Sequence, residues 1–132
     1  MSTQLKPVGD WVDQAFDVIF FHSDDALAIK SFEDHFDPGL LVRLNHDRFT
    51  YDQYKEAVKH ARSTNIFTLD SSEEILKWDD AEKKGGTVAH LIKFTTKNKK
   101  TGQETKKTSL ILSAVKWVDG KRVITEITEV AV

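Results

Sequence analysis

The spacing of apolar residues changes from a helical to a strand period about halfway along the chain. Before Ser63, apolar side chains recur three and four positions apart, which is typical of helices with one buried face. After Ser63, apolar and polar residues alternate over long stretches, as they do in strands with one buried face. Helices and strands segregated in this way indicate an α+β fold rather than a parallel α/β sheet.

Two helices are predicted at the start of the chain. An apolar stripe over residues 8–20 predicts a first helix of about four turns. Ser23, followed by two acids, has the character of an N-terminal cap and predicts the start of a second helix. Asp37-Pro38-Gly39 is expected to end this helix, because proline disfavours helical geometry in the residue before it.

A short strand and a third helix are predicted next. Residues 40–44 have the character of a short strand, and Asn45-His46-Asp47 that of its turn. Thr50 and Gln53 have the spacing of a capping box, which predicts the start of the third helix.

Long strands connected as a meander are predicted after Ser63. They cover residues 66–78, 87–96, 108–118 and 123–130. The first is expected to kink near Asp70. Gly85-Gly86 and a polar loop over residues 98–103 connect the first three, and Asp119-Gly120 predicts a type I′ hairpin before the last.

Length and charge narrow the class of protein. The 132 residues fit one domain, spanning residues 1–132. The net charge of -2 gives no general reason to bind nucleic acid or an anionic membrane. The chain has no cysteine, which excludes disulfides and thiolate metal sites.

Residues 1–7 lack a signal-peptide pattern and no apolar run approaches the ~20 residues of a membrane span, so a cytoplasmic protein is expected.

Three stretches carry a resemblance to a known family. They are FDPGLLVRL at residues 36–44, FTYDQYKEAVKHAR at residues 49–62 and VDGKRVI at residues 118–124. With the order of elements, they make the chain similar to the nuclear transport factor 2-like superfamily, in its SnoaL-like branch. The resemblance covers nearly the whole chain, although its motifs are structural.

The resemblance implies a fold, a place for a ligand and a mode of association. Three N-terminal helices would pack on a strongly curved, mostly antiparallel sheet, forming a cone with a central pocket. Similar proteins often form a homodimer through the outer sheet face. The superfamily includes isomerases, dehydratases, polyketide cyclases, dioxygenase subunits and non-enzymatic binding modules, so the fold does not determine the function.

Two titratable residues on the predicted strands are candidates for acid–base chemistry. His90 lies in an apolar row, where an imidazole is suited to act as a general base near neutral pH. The alternative is a buried structural histidine or one that faces a dimer partner. Glu126 would have a raised pKa inside the hollow and is a reserve base. The alternative, which the alternation favours, has Ile127 facing inward and Glu126 in solvent.

The third helix adds two further candidates. The Tyr54 hydroxyl is placed to donate a hydrogen bond to an enolate-like oxygen, the alternative being a core tyrosine. His60 matches a histidine frequent in similar sequences, the alternative being a surface hydrogen bond. The pocket is expected to be lined by Trp11, Phe16, His60, Ile92 and Trp117. No phosphate-binding loop or metal signature is present in the sequence, so neither a cofactor nor a metal is expected.

Two functions of different classes fit these residues. One is a cofactor-free isomerase, cyclase or dehydratase acting by general acid/base catalysis on an apolar carbonyl compound, with His90 as base and Tyr54 as donor. The other is a non-catalytic dimeric module that binds a ligand or a protein. The expected partners are a small apolar molecule and a second copy of the chain, and neither nucleic acid nor a membrane.

Overall fold

Three helices precede most of the sheet. The computed structural model describes residues 5–132; residues 1–4, which belong to the segment searched for a signal peptide, lie outside that range. The helices are α1 (Val8–Phe16), α2 (Asp25–His35) and α3 (Tyr51–Thr64), and Asp17–Phe21 continues α1 as a π-helical turn. In the described part of the chain, no helix has the length and apolar character needed to cross a membrane.

Six strands form one open, mixed sheet. They are β1 (Phe36–Leu44), β2 (Asp47–Thr50), β3 (Asn65–Asp79), β4 (Gly86–Asn98), β5 (Glu104–Val118) and β6 (Lys121–Ala131). Their order is β2-β1-β6-β5-β4-β3, in which β1 and β6 are parallel and the other neighbours are antiparallel. The predicted α+β cone, with three helices packed on a mostly antiparallel sheet, is confirmed.

Two short sequence motifs form the structures that were predicted for them. Thr50 Oγ1 accepts a hydrogen bond from the Gln53 backbone N–H, and Gln53 Oε1 accepts one from the Thr50 N–H. This capping box satisfies two donors that would otherwise be unpaired at the start of α3. Asp119 and Gly120 have positive φ angles of 50° and 82°, as a type I′ hairpin requires between β5 and β6.

Three details differ from the prediction. Asp24 caps α2 instead of Ser23, because Asp24 Oδ1 accepts the Leu27 N–H. Strand β1 begins directly after α2, so residues 37–39 lie in a strand with irregular pairing and not in a turn. Strand β2 was not predicted, since its four residues are too few to show an alternating pattern.

Irregular pairing bends the sheet. The register of β3 against β4 shifts between Leu69 and Ser71, which confirms the kink predicted near Asp70, and shifts again between Glu74 and Leu76. On β6, Thr125 is skipped in the pairing with β5. Such bulges bend a strand and increase its twist. The sheet therefore curves around the helices, and the core lies on its concave side.

Arg62 ties α3 to the end of the π-helical turn. Its Nε donates to Asp25 Oδ1 at 2.9 Å, Nη1 to the Ile19 carbonyl at 3.0 Å and Nη2 to the His22 carbonyl at 2.6 Å. Hydrogen bonds that involve a charged group contribute about 1.5–3 kcal/mol each. This buried cation therefore holds the π-helical turn against α3, where the turn forms one wall of the cavity described next.

Candidate functional site

A cavity of about 320 Å³ lies between the helices and the concave face of the sheet. Five of its lining residues are phenylalanines: Phe16, Phe20, Phe21, Phe67 and Phe94. Among the residues that the structure describes, three polar ones also line it: Tyr54, Ser109 and Glu129. A mostly apolar cavity with a few placed polar groups is typical of small-molecule sites.

The alternation of side chains along β6 points Glu129 into the cavity. It lies on the same strand face as the buried Ile127, opposite Ile111 of β5 and Leu44 of β1. Burial raises the pKa of the Glu129 carboxyl, and the nearby Ser109 hydroxyl lowers it by a smaller amount. The carboxyl therefore keeps its proton to a higher pH than an exposed glutamate does.

Ser109 is the most deeply buried of the three polar residues in the cavity wall. Its side chain is 1% exposed. The hydroxyl lowers the pKa of the Glu129 carboxyl as a nearby hydrogen-bond donor, although the contact falls outside strict hydrogen-bond geometry. A group of this kind on a cavity wall is a place where the polar atom of a ligand would be bound.

Tyr54 projects from α3 into the same cavity. Its ring packs against Phe32 and Phe36, with centroids 5.9 and 6.1 Å away. Burial raises the pKa of the Tyr54 hydroxyl well above its usual value, and the charge of Glu129 raises it further. The hydroxyl is thus a proton-bearing donor at any physiological pH, beside a carboxyl whose pKa is also raised.

Some of the residues predicted for the pocket line this cavity. Tyr54, Phe16 and Ile92 do so, from α3, α1 and β4 respectively. His90 shares the inward face of β4 with Ile92 and is 2% exposed, but it is not part of the cavity lining. In the cross-strand row, Ile111 stands between His90 and Glu129. His90 Nδ1 has no hydrogen-bond partner in the described part of the chain.

Glu126 lies on the other side of the sheet. It is exposed, whereas Ile124 and Ile127 are both buried although they are three positions apart. The skipped residue Thr125 explains this spacing, because a bulge lets two residues of one strand oppose one of its partner. The assignment of Glu126 as a cavity carboxylate is therefore corrected, since its side chain faces solvent.

Three further residues predicted for the pocket lie outside its lining. Trp11 packs on the His35 ring, with centroids 5.1 Å apart. His60 is exposed on α3. Trp117 lies near the end of β5, where Lys84 Nζ is 5.2 Å from its ring centroid. Trp11 thus packs at the edge of the core and the other two are exposed, and none of the three belongs to the cavity wall.

Sequence reasoning missed Ser109 and Glu129. Glu129 continues the alternating face of Ile127, so the strand pattern contained the signal once that face was taken as the inner one. Ser109 lies on the same face of β5 as Ile111, so the alternation along β5 contained the same signal. No group of three or more His, Asp or Glu side chains suited to a metal ion occurs within residues 5–132.

Comparison with known proteins gives structural matches alone. No protein-family model matches the chain, and no curated protein does either. A ketosteroid isomerase-like protein from Erwinia carotovora atroseptica SCRI1043 is similar with a TM-score of 0.74 and 15% identity, over 95% of this chain and 94% of that chain. A SnoaL-like family protein from Agrobacterium tumefaciens str. C58 is similar with a TM-score of 0.60 and 7% identity, over 92% and 95%.

A third match differs in the function that its name implies. It is a protein from Xanthomonas campestris named for a calcium/calmodulin dependent protein kinase II association domain. Its TM-score is 0.68 at 13% identity, over 99% of this chain and 89% of that chain. The family resemblance drawn from the sequence is thus confirmed for the fold, and these low identities leave the function to the site itself.

Replacing Glu129 by Gln should remove a pH-dependent loss of stability. With its pKa raised, folded Glu129 binds more protons than the unfolded chain between the unfolded pKa, about 4.3, and the raised value. The free energy of unfolding of the unaltered chain should fall as pH rises through this window and then level off. The Glu129→Gln variant should lack this component in urea unfolding at a series of pH values.

Glu126→Gln is the matched control, because Glu126 is exposed on the same strand. Its pH dependence should equal that of the unaltered chain. If Glu129→Gln also left the pH dependence unchanged, the carboxyl would not be buried as described.

Proposed function

We propose that this chain, which has the nuclear transport factor 2-like fold shared by SnoaL-like proteins, binds a small and mostly apolar molecule in its cavity. The observation that carries the proposal is the buried Ser109 hydroxyl beside Glu129 in a mostly apolar cavity wall. Together with Tyr54 and Glu129 it offers hydrogen bonds to one polar group of the ligand. The cavity volume lies within the range of small-molecule sites, about 300–1,000 Å³.

The same groups support cofactor-free proton transfer on an apolar carbonyl compound, in an isomerisation, cyclisation or dehydration. Glu129 would remove a proton from the carbon beside the carbonyl, because a raised pKa makes a carboxylate a better base near neutral pH. Tyr54 would donate a hydrogen bond to the carbonyl oxygen as negative charge develops there. The role of base thus moves from His90 to Glu129, which lines the cavity.

The comparisons support this class of reaction in a limited way. The Erwinia protein is ketosteroid isomerase-like by name, and its chain is similar to this one over almost its whole length. The cavity supplies what such chemistry requires, namely an apolar enclosure and positioned donors and acceptors.

Filling the cavity should abolish binding of an apolar probe. Ala57 lines the cavity from α3, so the ring of Ala57→Phe would occupy the space of the ligand. The affinity for the neutral fluorescent probe N-phenyl-1-naphthylamine should fall by about tenfold or more. Ala26→Phe, at an exposed position on α2, should leave the affinity unchanged. Equal binding by both variants would place the probe elsewhere and defeat the proposal.

Proton transfer should depend on Glu129. The expected activity is deuterium exchange at the carbon beside the carbonyl of an apolar cyclic ketone, such as 4-tert-butylcyclohexanone, followed by NMR in D₂O. Glu129→Gln should slow the protein-dependent exchange by about 10²–10⁴-fold, the usual contribution of a general base. Glu126→Gln should exchange at the original rate. If the exchange with the unaltered chain were no faster than in buffer, the chain would be a ligand-binding protein that does not catalyse proton transfer.

A second candidate function is association through the outer sheet face. Two cross-strand rows make this face apolar: Leu76, Ala89 and Leu112, and beside them Leu91, Leu110 and Val130. Leu76 is 74% exposed and Trp78, near one end of β3, is 64% exposed. A contiguous exposed apolar surface of this kind marks an interaction site more often than a free surface. The Xanthomonas protein, which is named for an association domain and is similar in fold, supports self-association in general.

A charge placed on this face should disrupt the dimer. Leu112→Glu puts a carboxylate in the middle of the outer face, where burial in a dimer would leave it unpaired. Sedimentation equilibrium at micromolar concentration should report a dimer for the unaltered chain and a monomer for the variant. Leu27→Glu on α2, where Leu27 is as exposed as Leu112, should remain dimeric. An unaltered chain that sediments as a monomer would contradict the dimer.

A further inference from the structure

A second cavity, of about 270 Å³, adjoins the first. Phe20, Phe21 and Phe67 line both cavities. The first two project from the π-helical turn and the third from β3, and all three are half-buried. The boundary between the cavities therefore consists of three aromatic side chains, which pack on one another or on Phe16 and Phe94.

The two cavities differ in chemistry. The second is lined mainly by polar residues: His22, Ser23, Asp25, Arg62, Asn65 and Lys99. Ile66 and the three shared phenylalanines complete its lining. A molecule that spanned both cavities would thus meet an apolar, aromatic enclosure at one end and a polar one at the other.

The polar cavity has an excess of positive charge. Asp25 is neutralised by Arg62, whose Nη2 lies 2.8 Å from the carboxylate. Lys99 makes no ion pair with any residue in the range 5–132. Two cations and one anion leave one positive charge in the lining, which favours an anionic group.

Arg62 also has one N–H group without an acceptor among the described residues. A guanidinium has five N–H groups. Nε and Nη1 each donate one hydrogen bond, and Nη2 faces both the His22 carbonyl and the Asp25 carboxylate. The second N–H of Nη1 has no partner among the described residues. Because Arg62 is held rigidly by these contacts, it would bind an anion without further loss of side-chain entropy.

We propose that the two cavities form one bipartite site for an amphipathic organic anion. The apolar, ring-bearing body of the ligand lies among the phenylalanines of the first cavity, and its carboxylate or sulfonate lies beside Lys99 and Arg62 in the second. Phe20, Phe21 and Phe67 move aside to let the molecule span the boundary. This proposal rests on the proposed function as a small-molecule binding protein and adds the chemical class of the ligand.

Two fluorescent probes test the anionic half of the site. 8-Anilinonaphthalene-1-sulfonate and N-phenyl-1-naphthylamine share an aromatic body, and only the first carries a sulfonate. Lys99→Ala should weaken binding of the sulfonate probe by about fivefold, since an exposed ion pair contributes little more than that. The neutral probe should bind the variant unchanged. Added salt should weaken binding of the sulfonate probe alone.

Lys100→Ala is the matched control, because Lys100 is an exposed lysine of the same loop that does not line the cavity. It should alter neither affinity. An effect of Lys99→Ala that Lys100→Ala reproduces, or one that is equal for both probes, would overturn the proposal. Sulfonate binding that survived in Ala57→Phe would also overturn it, since the probe would then lie outside the first cavity.

The neutral probe separates this proposal from the proposed function. If it binds the unaltered chain and Ala57→Phe abolishes binding, small-molecule binding stands whatever Lys99→Ala does to the sulfonate probe. If the neutral probe fails to bind the unaltered chain, the proposed function fails and the bipartite site fails with it.

Discussion

The alternation of side chains along the long strands is the constraint on which the rest of this structure depends. Successive residues of a strand point to opposite faces, so each strand contributes to a concave and a convex surface at once. The concave surface meets the helices and encloses the cavity, and the convex surface carries the exposed apolar rows. One skipped residue, Thr125, sets the phase in β6 and thereby places Glu129 inside and Glu126 outside.

Those features of the fold that depend on neighbouring residues could be predicted from the sequence. The capping box of Thr50 and Gln53 and the hairpin at Asp119-Gly120 need three or four residues each, and the structure contains both. The order of helices and strands follows from periodicities that extend over ten residues or more. The kink near Asp70 was also visible, because polar residues interrupt the alternation there.

The site could not be predicted to the same extent, because it depends on contacts between residues far apart in the chain. The parallel pairing of β1 with β6 brings Leu44 next to Glu129, and no pattern among neighbouring residues predicts this pairing. No feature of the amino-acid composition marks the bulge at Thr125, so the sequence alone does not determine which face of β6 points inward. His90 faces inward, but the cavity reaches β4 only at Ile92 and Phe94 and does not extend along the strand to His90. Periodicity identifies a face of a strand, whereas a cavity occupies only part of that face.

Because of the π-helical turn, the number of residues between α1 and α2 can vary independently of the rest of the fold. Asp17–Phe21 contains one residue more than regular α-helical geometry would need. The wider turn absorbs this residue, so deleting a single residue there would restore regular α-helical geometry and leave the helix before it in nearly the same orientation. Phe16 would still face the cavity, whereas the turn itself, which carries Phe20, Phe21 and the Ile19 carbonyl bound by Arg62, would be rebuilt. Related chains should therefore be able to lose this one residue and keep the fold, and the part of the cavity that differs between them should be the wall formed by the turn.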